Sequence, residues 1–149
     1  MNAIVKLIQT IEPRYYHLNP PANDQMIREC ENALNLRLPQ DYAEFLKFAN
    51  GAELPLSHEL FGTVEIDAGI GNLSESRTFP IAKGLPPDFL LFHDDGMDSH
   101  AFHVESSSEY SIRRIIQWDA KAEKIVKEFA ELAGWLDSYI SPAIKFHDQ

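Results

Sequence analysis

The chain has 149 residues, 44% of them hydrophobic, with one cysteine and a formal net charge of −10. That length carries one domain with a substantial core, taken as residues 1–149, since no interior stretch is rich enough in Gly, Ser or Pro to act as a linker. The charge argues against direct binding of nucleic acid, which needs clustered Lys and Arg, and the lone Cys30 excludes an internal disulfide. No apolar run or cleavable signal pattern marks a membrane or secreted protein, so a cytoplasmic location is expected.

Ile4, Leu7, Ile8 and Ile11 fall at helical spacing, which predicts an N-terminal helix ended by Glu12-Pro13. The proline-rich segment from Arg14 to Pro21 is expected to be a loop carrying Tyr15 and Tyr16. Asn23 or Asp24 can cap a second helix running to about Leu34, with Ile27, Cys30 and Leu34 turned inward and Asn35 ending it. Cys30 is therefore expected to be a buried, inert thiol. Pro39 sets the start of a third helix near Asp41, whose apolar face is Tyr42, Phe45, Leu46 and Ala49, and Asn50-Gly51 supplies residues that tolerate positive φ at its end.

After Gly51 the period shortens. Residues 61–66 alternate as a strand ended by Asp67-Ala68-Gly69, and Phe79 to Ala82 is expected to be a short extended piece at an edge or strand-start position, because Pro80 cannot donate to a ladder. Phe89 to His93 is a central strand, followed by an acidic turn at 94–98, a hairpin partner at 99–104 and a further strand at 112–118. The fold class is α+β: a mainly antiparallel twisted sheet with N-terminal helices and a C-terminal helix packed around it. Beyond Asp119, the spacing of Ala122, Ile125, Phe129, Leu132, Leu136 and Ile140 permits one long helix.

His93, Asp94, Asp95, Asp98, His100 and His103 form the richest group of chemically capable side chains. In a strand over 99–104, His100 and His103 point to opposite faces and cannot close on one ion. The aspartates with Gly96 lack the later bidentate Glu of a calcium loop. We therefore expect a solvated acidic turn with no metal and no cofactor. No glycine-rich nucleotide loop, Walker-type lysine or serine elbow occurs, and Arg113 and Arg114 are expected to straddle a strand, so an enzyme is not expected. The acidic balance suits a basic protein partner, with Asp94, Asp95 and Asp98 the first candidate contact residues and Glu105 and Glu109 the next.

Leu38-Pro39, Asp41-Tyr42, Phe45-Leu46 and Asn50-Gly51 together resemble the helix signature of the SUKH superfamily, which contains yeast cell-wall regulators and many bacterial immunity proteins. Later landmarks follow in order: Leu60-Phe61-Gly62, Phe79-Pro80-Ile81-Ala82, Asp95-Gly96, Trp118-Asp119 and Trp135-Leu136. The resemblance covers roughly residues 24–140. It implies an α+β domain in which Lys124 to Glu128 is extended and the last helix starts near Ala130, with Trp135 and Leu136 buried. It also implies a non-enzymatic protein that binds a cognate toxin, for which a basic domain such as a nuclease would suit the charge. A regulatory or scaffold module of the same family is the alternative, and a metal-dependent enzyme using His93, Asp95 and His103 is the other class.

Overall fold

Local start signals place the three N-terminal helices of the computed structural model, which describes residues 2–66, 70–107 and 111–147, with main chain only at 106, 107, 146 and 147. Helix α1 (Ala3–Ile8) starts where the Asn2 side chain accepts from the backbone N–H groups of Ile4 and Val5. Helix α2 (Asp24–Leu34) starts where Asn23 accepts from Met26 N, and it ends at Asn35 in the left-handed region, φ 54°. Helix α3 (Gln40–Phe48) follows Pro39, which offers no side-chain cap. Its Asp41 carboxylate reaches across the molecule to accept from Ile112 N at 3.1 and 3.0 Å.

The strands form a seven-stranded antiparallel meander in chain order. They are β1 (His17–Leu18), β2 (Ala52–Leu54), β3 (His58–Leu60), β4 (Phe89–Asp94), β5 (Ser99–His103), β6 (Arg113–Asp119) and β7 (Lys124–Glu131). Tyr42 of α3 meets Phe92 and Phe102 edge-on or tilted, with ring centroids 5.8 and 6.0 Å apart, so the helices cover one face of the sheet. The row Leu91–Ala101–Ile116 points to the other face and is equally buried. The Trp118 indole donates to Lys83 O at 2.9 Å, joining the 80–83 segment to the sheet. Both faces of the central strands are thus covered, which is why β4 is a nearly continuous apolar run.

Three local expectations are corrected. Residues 17–18, expected as loop, pair with β2 as an edge strand. The strand expected over 61–66 lies earlier, as β2 and β3. Phe61 N still donates to Phe92 O at 2.9 Å, but Thr63 N donates instead to the buried Asn50 Oδ1 at 2.7 Å, which takes the chain out of the ladder. Its expected end at Asp67-Ala68-Gly69 lies outside the described residues. Phe79 to Ala82 is not extended: Pro80–Ala82 is a 3₁₀ turn with proline at its first position, where its missing N–H costs nothing.

The C-terminal conflict resolves toward the extended form. Asp119 Oδ1 accepts from Lys121 N and Ala122 N at 3.0 Å each, turning the chain so that β7 pairs with β6, Ile115 opposite Phe129. Helix α4 (Leu132–Trp135) then starts two residues later than expected and runs through a π-helical segment, Leu136–Ile140, into α5 (Ser141–His147). Trp135 and Leu136 are buried as expected. Among the described residues no helix is long and apolar enough to cross a membrane.

Phe45 is fully buried and edge-on to Tyr42 at 5.4 Å, in the helix-covered core. Phe45→Ala is expected to lower the unfolding free energy by about 3–5 kcal/mol. Urea titration followed by tryptophan fluorescence measures this, and an unchanged midpoint would remove Phe45 from the core.

Candidate functional site

Strand register assembles a polar row inside the core. Leu60 pairs with His93, His93 with His100, His100 with Gln117 and Gln117 with Lys127, so these five positions share one face. His58, two residues before Leu60 on β3, joins them. A register shift between Leu91 and His93 leaves Phe92 as an extra residue. That bulge turns two successive side chains to the same face, and the rings of Phe92 and His93 each lie 5.0 Å from Trp135.

The three imidazoles form a chain. His58 Nδ1 is 2.8 Å from His93 Nε2, and His93 Nδ1 is 3.0 Å from His100 Nδ1. His58 is 4% exposed and the other two are fully buried. Asp95 Oδ2 lies 3.7 Å from His58 Nδ1. The Tyr139 hydroxyl, carried by the π-helical segment, lies 2.6 Å from Asp95 Oδ2 and 2.9 Å from Asp98 Oδ2, so it bridges the two carboxylates. At the other end of the chain, His100 Nε2 and the nearby Trp135 Nε1 have no hydrogen-bond partner among the described residues.

Burial holds all three imidazoles below their ordinary pKa. His93 is pushed well below it by burial and then by its two imidazole neighbours. For His58, burial outweighs the opposing pull of Asp95 and Asp98. His100 falls to about 3, again by burial first, with Asp95 opposing. Burial alone would push the Asp95 carboxyl up, but the backbone N–H groups of Asp98 and Met97, with the Tyr139 hydroxyl, bring it below the usual carboxylate value. Burial and the two aspartates raise Tyr139, so its hydroxyl keeps the proton it shares between them. The cluster thus presents neutral imidazoles beside the ionised Asp95 carboxylate at neutral pH.

The residues singled out in the sequence divide among different settings. His93, His100, Asp95 and Asp98 come together, whereas His103 faces away and lies 3.1 Å from Asp88. The expected opposition of His100 and His103 is therefore observed. Asp94 accepts from Ser99 Oγ at 2.9 Å, and Asp95 Oδ1 accepts from the backbone N–H groups of Met97 and Asp98, closing the β4–β5 turn. The turn is not simply solvated, because Asp95 and Asp98 look inward to Tyr139. Arg113 and Arg114 are both exposed, and Arg114 pairs with Glu128 at 3.0 Å. Glu105 is exposed, and Glu109 lies outside the described residues. Sequence reasoning missed His58 and Tyr139. Tyr139 could have been linked to Trp135 by its i, i+4 spacing, but His58 carries no local signal.

Outside this cluster, a groove of about 730 Å³ lies between the 80–83 segment, the β4–β5 tip and the β6–β7 turn. Ile81, Met97, Trp118 and Val126 line it, with Asp98 and Asp119 among its acids and Lys83 and Lys121 also present. Met97 is 93% exposed and Val126 51%. Asp98 joins groove and core, since its other oxygen accepts from Gln117 Nε2 at 3.1 Å.

Two outcomes follow from the cluster. Tyr139→Phe leaves the neighbouring Asp95 and Asp98 carboxylates without their shared donor, and is expected to cost about 1.5–3 kcal/mol at neutral pH in urea unfolding. A cost near zero would mean the bridge contributes nothing to the fold. The histidines give a pH dependence of definite sign. The unfolded chain takes up their protons as pH falls through about 6.5, before the folded protein can, so their contribution is complete above that pH and is lost on acidification. For His100 the loss continues to a pH of about 3. Each buried imidazole adds a slope of up to about 1.4 kcal/mol per pH unit inside its window. Unfolding free energies measured with chelator present between neutral pH and pH about 5 are expected to drop by more than one histidine accounts for. A flat profile would place these histidines in ordinary solvent.

No curated protein sequence matches the chain. Among solved structures, a crystal structure of a protein from Pseudomonas syringae pv. tomato superimposes with a TM-score of 0.65 at 17% sequence identity, over 91% of this chain and 94% of that one. At that identity the likeness speaks for the fold alone. The sequence profile of the SMI1 / KNR4 family (SUKH-1) matches residues 21–138, from the approach to α2 through most of the π-helical segment, and the chain belongs to that family.

Proposed function

We propose that this chain is a non-enzymatic protein-binding domain, an immunity protein that binds and neutralises a cognate basic toxin domain such as a nuclease. The observation that carries the reading is the net charge of −10 on a small SUKH-family domain, together with the exposed apolar pair Met97 and Val126 beside Asp98 and Asp119. Negative charge speeds encounter with a cationic partner, and an apolar centre with charged surroundings is how a specific interface gains affinity after encounter. The imidazoles are packed in the core behind Tyr139, which suits a structural role for them within a binding domain.

The contact surface in this reading shifts from the turn aspartates toward the groove. Asp95 and Asp98 hold the hairpin to Tyr139, so replacing them changes the fold as well as the charge. Asp94 remains a candidate electrostatic contact at that end of the sheet, whereas the exposed Glu105 follows His103 at the opposite end of β5.

Co-expression with any toxin domain encoded in the neighbouring genes, and calorimetry with that domain purified, test the reading. The double variant Met97→Lys, Val126→Lys alters only exposed side chains and is expected to keep the unfolding midpoint. It is also expected to weaken toxin binding by at least about tenfold, because it sets two cations against a cationic partner. Unchanged neutralisation and affinity would place the interface elsewhere, and absence of any binding by the parent protein would remove the immunity reading.

A further inference from the structure

We propose that His58, His93 and Asp95 form a binding site for a divalent transition-metal ion of the zinc type. His58 Nδ1, His93 Nε2 and one Asp95 carboxylate oxygen lie within 4.8 Å of one another. Two imidazole nitrogens and one carboxylate oxygen are a donor set that favours zinc-like ions over magnesium or calcium, which prefer all-oxygen shells.

The distances are close to those a metal requires. Ligand atoms about 2.0–2.1 Å from a tetrahedral ion stand about 3.3 Å apart. The present 2.8 Å between the imidazole nitrogens is shorter, the 3.7 Å from His58 to Asp95 is longer and the His93–Asp95 gap is within 4.8 Å, so the imidazoles part slightly and Asp95 moves toward both to seat the ion. His58 and His93 now share a single proton between facing nitrogens. The ion takes that proton's place, and His58 shifts its N–H to Nε2, so no net proton is released. Asp95 and Asp98 supply two negative charges against the ion's two positive ones, and Tyr139 keeps its proton between them. A water can complete the coordination.

A second observation concerns the ring that must be aimed. His93 Nδ1 lies 3.0 Å from His100 Nδ1, and His100 is itself fully buried. Donation from His93 Nδ1–H to His100 fixes the tautomer in which His93 Nε2 carries its lone pair toward the site. Metal-binding imidazoles are commonly held by such a bond at their second nitrogen. The same tautomer leaves His100 with its N–H at Nε2, the buried nitrogen that lacks a partner among the described residues. His100 is therefore a positioning residue, and the cost of its unpaired N–H is borne by a site that gains a ligand elsewhere.

The test uses the full chain, stripped with a chelator and dialysed against Zn²⁺ or Co²⁺. One ion per chain is expected, with the intense visible absorption of low-coordinate Co²⁺ and with ¹⁵N imidazole shifts at His58 Nδ1 and His93 Nε2. His58→Gln is expected to lower zinc affinity by at least about tenfold, while His103→Gln, on the other face of the sheet, leaves it unchanged. Calcium is expected not to compete. Circular dichroism checks that each variant is folded, and the ¹⁵N shifts of the unmodified protein decide the matter even if a variant unfolds. Failure to bind a stoichiometric ion, six-coordinate Co²⁺, or undiminished zinc affinity in folded His58→Gln would each overturn the proposal. None of these outcomes depends on the toxin, so the binding reading stands or falls separately.

Discussion

A single buried carboxamide holds the two halves of the fold together. Asn50 Oδ1 accepts from Thr63 N at 2.7 Å, and its Nδ2 donates to Thr63 Oγ1 at 2.9 Å. Its backbone N–H donates to Pro20 O, and its carbonyl accepts from the Asn19 side chain at 3.1 Å. One residue at the end of α3 therefore ties the segment before α2 to the chain leaving β3. Leaving such a buried amide unpaired would cost about 1–3 kcal/mol per group. The neighbouring Gly62 shows how close this approach is: a Cβ there would sit 2.3 Å from Asn50 O. Tyr42 adds a second tie, its hydroxyl donating to Phe61 O at 2.6 Å from an otherwise apolar helix face.

Because those ties turn the chain away at Thr63, β3 is short and β4 enters beside it from a distant part of the sequence. The arrangement brings His58 next to His93. The bulge at Phe92 then lets Phe92 join the aromatic core around Tyr42 while His93 also faces inward. A polar row in the middle of a core costs desolvation, and the π-helical segment offsets part of it by delivering one hydroxyl to two carboxylates. Core, hairpin turn and last helix are thus coupled through Tyr139 rather than merely stacked.

The outer edge of the sheet follows a different logic. Strand β7 is exposed along most of its length, and its Lys124, Lys127, Glu128 and Glu131 discourage unwanted pairing with another strand. Phe129 is its partly buried residue, set against His100 at 5.8 Å. The charged edge lies beside a groove whose lining mixes Ile81, Met97, Trp118 and Val126 with acids and lysines.

The sequence by itself determined whatever depends on neighbouring residues. Asn23 and Asn35 are a cap and a stop that act within one helical turn, and the 3.6-residue spacing of Tyr42, Phe45 and Leu46 is enough to mark a buried face. The apolar run at 89–93 and the hairpin after it were legible for the same reason. Residues 124–131 show the limit, since their helical spacing was overruled by pairing with β6, and only the family resemblance pointed the right way. The two-residue β1 and the 3₁₀ turn at Pro80 were likewise set by partners far along the chain. Only the tertiary structure could bring His58, His93, Asp95 and Tyr139 together, because strand register, a bulge and a docked helix are long-range hydrogen-bonding and packing choices with no local periodicity to announce them.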